Sequence, residues 1–116
     1  MSLRAERVAE EIRKVISERL IRGFKMPFSG LVTISGVEVN PDLTQAKVFY
    51  SVFGDENDVA VARKILEREK KNLRQEVGSK IRLRLTPELV FILDESAKEA
   101  ARISELLNRN RPKDES

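Results

Sequence analysis

Residues 31–53 read LVTISGVEVNPDLTQAKVFYSVF, and the alternation within this stretch decides the fold. Val32 and Ile34 alternate with Thr33 and Ser35, which puts the apolar pair on one face of a strand. Gly36 breaks the alternation, and Val37 and Val39 resume it one position out of phase. A glycine at a phase shift predicts a β-bulge. Asn40-Pro41-Asp42 supplies turn chemistry. Ala46, Val48, Tyr50 and Val52 then line one face of a second strand. Two strands this close in sequence predict an antiparallel hairpin.

On the N-terminal side, residues 3–22 carry Val8, Ile12, Val15, Ile16 and Leu20 at helical spacing, with only Arg19 interrupting the stripe. Gly23 is the expected stop. Residues 24–30, with Pro27, Ser29 and Gly30, read as a loop, and Phe24 and Phe28 are expected to pack under the first helix.

On the C-terminal side, Gly54 closes the hairpin, and Asp55 with Asp58 three residues on can cap a new helix. Val59, Ala62, Ile65, Leu66, Leu73 and Val77 form its apolar stripe. Glu69 and Lys70 occupy the next core positions after Leu66, so the helix either bends there or turns its middle to water. Gly78 is the expected end. Arg82–Leu93 reads as a third strand whose Thr86-Pro87 places one end at an edge or bend, because proline cannot donate to a sheet ladder. Ser96 and Glu99 fit a capping box before a short helix with Ala100, Ile103, Leu106 and Leu107. The resulting order is α-β-β-α-β-α. It predicts an α+β domain over residues 1–107, with a small mixed three-stranded sheet, helices on one face and a bend in the long helix. Residues 108–116 are expected to be a charged, disordered tail.

The 116 residues suit one domain. Absence of Cys removes disulfides, thiolate metal sites and Cys nucleophiles, and absence of His removes the commonest general base and metal ligand. No P-loop, dinucleotide fingerprint or nucleophile elbow occurs. Asp94-Glu95 is an adjacent carboxylate pair at a helix start, where capping is the usual role. Neither catalysis nor a cofactor is expected. No apolar run is long enough to span a membrane, and Met1–Arg7 lacks a signal-peptide core. The expectation is a soluble, cytoplasmic monomer.

The chain carries +3 overall, but residues 63–84 alone hold nine cations against three carboxylates, about +6. Arg63, Lys64, Arg68, Lys70, Lys71, Arg74, Lys80, Arg82 and Arg84 are the nine. Clustered cations release counterions from a phosphate backbone, which drives nucleic-acid binding. The alternative is a solvated helix face with Glu–Lys pairs. Arg82 and Arg84 alternate with Leu83 and Leu85, which in a strand sends the arginines to one face and the leucines to the other. No aromatic belongs to a stacking motif of the RNP type.

Ser29–Val39, Asp42–Tyr50 and Lys80–Phe91 closely resemble bacterial ribosome-binding factor A. So do Arg7–Ile12 and the late pattern of Asp94 and Ser96 leading to Ile103, Leu106 and Leu107. The pieces stand in the family's order and cover the chain to about residue 107. The resemblance implies a KH-like, type II fold and binding to the small ribosomal subunit and its ribosomal RNA during late maturation. It further implies contact where head, body and platform meet, a link to growth in the cold, and release by a ribosome-assembly GTPase. The family's Ala-x-Gly kink aligns with Glu69-Lys70-Lys71, which lacks the small residues. The expected RNA-binding set is Lys64, Arg68, Lys70, Lys71, Arg74, Lys80, Arg82 and Arg84. Reversing Lys70, Lys71 and Arg74 is expected to weaken binding and spare the fold. The competing reading is a KH-like nucleic-acid or protein-interaction module without a ribosomal role.

Overall fold

The computed structural model describes residues 3–22 and 31–96, with residues 103, 106 and 107. Its elements are α1 (Leu3–Arg22), β1 (Leu31–Val39), β2 (Gln45–Phe53), α2 (Glu56–Lys80) and β3 (Glu88–Leu93). α1 buries Val8, Ile12, Val15 and Ile16 as its periodicity requires, and adds Ala5 and Ala9. Arg19 and Leu20 are half-buried at its end.

β1 and β2 form the antiparallel hairpin, with the irregularity where Gly36 announces it. Ile34 faces Tyr50 and Gly36 faces Phe49, so Ser35 is the extra residue. Its hydroxyl reaches Phe49 O at 3.3 Å and donates to Asp94 Oδ2 at 2.8 Å, joining β1 to the end of β3 across the central strand. β3 pairs with β2 in parallel, from Glu88 beside Gln45 to Leu93 beside Tyr50. The sheet is mixed, in order β1-β2-β3, and α2 is the long crossover that a parallel pair requires.

Ala46, Val48, Tyr50 and Leu89 are buried on one side of the sheet, against Ile12 and Ile16 of α1 and Leu66, Leu73 and Val77 of α2. Lys47 on the opposite side is exposed. Both helices therefore cover one face. Each fully buried aliphatic side chain contributes about 1.5–3 kcal/mol.

Side chains lock the turn between β1 and β2. Asn40 Oδ1 accepts from Gln45 N at 2.8 Å, and Asn40 Nδ2 donates to Thr44 Oγ1 at 2.8 Å. Thr44 Oγ1 in turn donates to Asp42 Oδ1 at 2.7 Å. This network holds Leu43 at φ 61°, the one positive φ of a non-glycine residue among those described. Such a conformation costs on the order of 1–3 kcal/mol and persists only where its surroundings over-determine it.

α2 opens with the expected reciprocal cap. Asp55 Oδ1 accepts from Asp58 N at 2.9 Å, and Asp58 Oδ2 accepts from Asp55 N at 3.0 Å.

No break separates two halves of α2 at Glu69 and Lys70, where a bend was expected: the helix is continuous from Glu56 to Lys80. Glu69 and Lys70 stay on the core side and are half-buried. The Lys70 ammonium lies 5.9 Å from the centroid of the Phe91 ring, so its aliphatic stem covers apolar surface that the stripe leaves open. Gly78 does not end the helix either. A Cβ there would meet Thr86 Oγ1 at 2.7 Å, so this glycine admits the incoming chain.

The third strand is shorter than expected. Residues 82–87 form a connection, and the strand begins at Glu88. Arg74 explains this, because Nη2 donates to Thr86 O at 2.8 Å and Nε to Pro87 O at 3.2 Å. The guanidinium thus binds two carbonyls that a ladder would use, and Pro87 has no N–H to offer. Glu88 N, donating to Thr44 O at 2.9 Å, starts the pairing. Most of the last helix with its Ser96–Glu99 cap, the 24–30 loop with Phe24 and Phe28, and the 108–116 tail lie outside the described residues.

Candidate nucleic-acid interface

Helical spacing sorts the cations of α2 into three groups. Lys64 and Lys71, seven residues apart, share the crest opposite the core stripe, about 10.5 Å apart along the axis. Both are exposed and have no ion-pair partner among the described residues. Arg68 lies on one flank, exposed, with Nη2 at 3.7 Å from Glu69 Oε1, too long for a strong pair. Arg63 and Arg74 share the other flank, toward β3. Arg63, one of the nine clustered cations but outside the expected RNA-binding set, is eleven residues from Arg74, a spacing that puts the two on one face of the helix.

Lys70 and Arg74 differ from the rest. The Lys70 ammonium pairs with Glu67 Oε2 at 3.1 Å, and its side chain is only 34% exposed. Arg74 holds the Thr86 and Pro87 carbonyls. Both can add positive potential, but each also has a structural task. Reversing Lys70, Lys71 and Arg74 together would therefore disturb the α2–β3 junction as well as the charge.

Lys80, the last residue of α2, and Arg82 and Arg84 in the connection after it are exposed. The expected strand alternation does not hold there, because residues 82–87 are not a strand. Leu83 is half-buried, but Leu85 is 75% exposed and not in the core. Arg84, Arg4 of α1 and the turn residues Asp42, Leu43 and Thr44 line one cavity of about 220 Å³. Nothing in the spacing of the sequence pairs Arg4 with Arg84.

A larger groove of about 590 Å³ lies between α1 and β1. Glu6, Glu10 and Glu38 line it, and Arg13 is the one cation. Arg13 is paired with Glu10 and holds that carboxyl below its ordinary pKa. Its acidic rim repels phosphate, so the groove and the α2 crest are opposite in sign. Among the described residues no cluster of His, Cys, Asp or Glu could hold a metal ion, and no helix is long and apolar enough to cross a membrane.

The family model for ribosome-binding factor A matches residues 4–107. The ribosome-binding factor A of Desulforamulus reducens is 44% identical over 108 residues, spanning 93% of this chain and 90% of that protein. The crystal structure of ribosome-binding factor A from Thermus thermophilus superposes with a TM-score of 0.65 at 19% identity, over 77% of this chain and 94% of that one. A homology model of the Thermus thermophilus factor, fitted into the cryo-EM map of a 30S complex, gives a TM-score of 0.64 at 19% identity, over 79% and 97%. At that identity the two structural matches establish the shared fold alone.

Proposed function

Because this chain belongs to the ribosome-binding factor A family of non-enzymatic assembly factors, we propose that it binds the 30S subunit during its maturation and does so through ribosomal RNA. The observation that carries the RNA-facing part is the α2 crest. Lys64 and Lys71 stand exposed, without carboxylate partners, on a helix anchored by Leu66, Leu73 and Val77. A rigid row of unpaired cations can neutralise successive phosphates without breaking an ion pair first. Arg63 and Arg68 widen the row, and Lys80 at the last position of the helix with Arg82 and Arg84 in the connection after it add exposed positive charge. Lys70 and Arg74 add positive potential while they hold Glu67 and the Thr86 and Pro87 carbonyls. We further propose that the protein acts in the cytoplasm as a monomer and that a ribosome-assembly GTPase releases it, the GTPase by family resemblance.

The test is co-sedimentation with purified 30S subunits over a salt series. Binding should fall steeply with salt, and Lys64→Glu with Lys71→Glu should lower the slope of log affinity against log salt by about two units, one per lost phosphate contact. A charge-matched control, Arg7→Glu with Lys14→Glu on the exposed side of α1, should change the slope far less. Equal losses in both would assign the effect to overall charge, and salt-insensitive binding would assign it to a protein on the subunit.

A further inference from the structure

The 220 Å³ cavity at the end of the domain combines features that the α2 crest lacks. Leu43, Leu83 and Leu85 supply apolar surface, and Leu85 is 75% exposed. Arg4 and Arg84 stand on its rim, both exposed. Asp42 also lines it. Both Thr44 donors, N at 3.3 Å and Oγ1 at 2.7 Å, fall on Asp42 Oδ1, which leaves Oδ2 to accept from a ligand. Those bonds stabilise the charged carboxylate and hold its pKa below the ordinary value.

The cavity is built from three separate parts of the chain. α1 contributes Arg4, the β1–β2 turn contributes residues 42–44, and the connection before β3 contributes residues 83–85. The turn is rigid, since the Asn40, Asp42 and Thr44 side chains hold Leu43 in its left-handed conformation. Strained, over-determined backbone of this kind clusters at ligand sites. Its size is below that of pockets for drug-sized ligands, about 300 Å³ upward, and suits one heterocyclic base.

We propose that this cavity takes a single unstacked nucleotide of single-stranded RNA. The base lies on Leu43, Leu83 and Leu85, the phosphate sits between Arg4 and Arg84, and Asp42 Oδ2 accepts from an exocyclic amine of the base. An acceptor at this position selects cytosine over uracil, because a carboxylate accepts from cytosine N4 and is repelled by uracil O4. The two guanidiniums favour RNA over an apolar protein side chain, which would leave both unused. The inference rests on the reading that the protein binds ribosomal RNA. It adds a site that recognises a base to a crest that contacts phosphates.

The test uses the full chain, labelled for NMR, titrated with cytidine monophosphate, uridine monophosphate and inorganic phosphate. Cytidine monophosphate should shift the amides of Asp42–Thr44 and Leu83–Leu85 and bind more tightly than uridine monophosphate, with phosphate alone weakest. Leu85→Ser should weaken cytidine monophosphate binding by about tenfold, the scale of one lost base contact. The leucine is exposed, so the fold should persist, and unchanged amide positions elsewhere would verify it. Lys64→Glu with Lys71→Glu should leave the nucleotide shifts intact. No shift at the cavity, or equal shifts from phosphate alone, overturns the nucleotide site while salt-dependent 30S binding still stands. Loss of 30S binding in Leu85→Ser without any nucleotide shift would mean that the cavity receives a protein side chain, which also overturns it. Nucleotide shifts at the cavity in a protein that does not bind 30S subunits would support the site and sink the ribosomal reading.

Discussion

Single residues decide where the strands stop and what pH the sheet tolerates. Asp94 accepts from Ser96 Oγ at 2.6 Å, Ser96 N at 3.0 Å and Ser35 Oγ at 2.8 Å. The Ser96 hydroxyl is the largest influence, and together these donors hold the Asp94 carboxyl below its ordinary pKa near 3.8. A carboxylate depressed in the folded state stabilises it above the unfolded pKa, and the stabilisation fades as pH falls through the folded value. The gap in melting temperature between wild type and Asp94→Asn should therefore be widest near neutral pH and close below about pH 4. Circular dichroism melts from pH 7 to pH 3 would show it, and a gap independent of pH would mean that the Asp94 charge contributes nothing. Gly78 offers a second residue-scale test. In an open helix position Gly→Ala would gain about 1 kcal/mol. Here the added methyl meets Thr86 Oγ1, so Gly78→Ala alone should destabilise. Adding Thr86→Ala should recover the helical gain, as a double-mutant cycle by urea denaturation would reveal. If Gly78→Ala stabilises by itself, the close approach of Thr86 has no consequence.

At the scale of the element, α2 carries both the core stripe and the basic crest. Its middle turn has polar residues at two inward positions, Glu69 and Lys70, yet the helix is continuous. Lys70 lies over Phe91, which itself meets Tyr50 edge-on with centroids 6.4 Å apart and planes at 76°. An unbroken helix predicts that the amides of residues 69–74 exchange with solvent as slowly as those of their neighbours in the same helix. Hydrogen exchange followed by NMR measures this directly. Fast exchange confined to residues 69–71 would indicate the family's kink after all. Continuity also gives the crest its rigidity: Lys64 and Lys71 keep a fixed spacing only if the turn between them is intact.

At the scale of the whole molecule, one core joins all five elements, with Leu89 of β3, Val48 of β2 and Ile12 of α1 in a single cluster. Leu89 is completely buried, so Leu89→Ala should cost about 2–5 kcal/mol by urea denaturation. A cost under about 1 kcal/mol would mean that β3 is not part of the cooperative unit. Much of this architecture is legible in the sequence because periodicity is a local consequence of burying one face. The apolar stripe of α1, the alternation of Ala46, Val48 and Tyr50, the phase shift at Gly36 and the Asp55–Asp58 cap each depend on residues near one another in the chain. The concentration of cations in residues 63–84 is legible for the same reason. Tertiary structure alone decided the rest. Arg74 ended the would-be strand at Pro87 by reaching carbonyls twelve and thirteen residues away, and Phe91 gave Lys70 a reason to stay on the inward face. Arg4 and Arg84 came to line one cavity only when the chain folded. Local patterns record which face of an element is apolar, but which cation is free to meet a phosphate depends on partners that the chain brings together only when it folds.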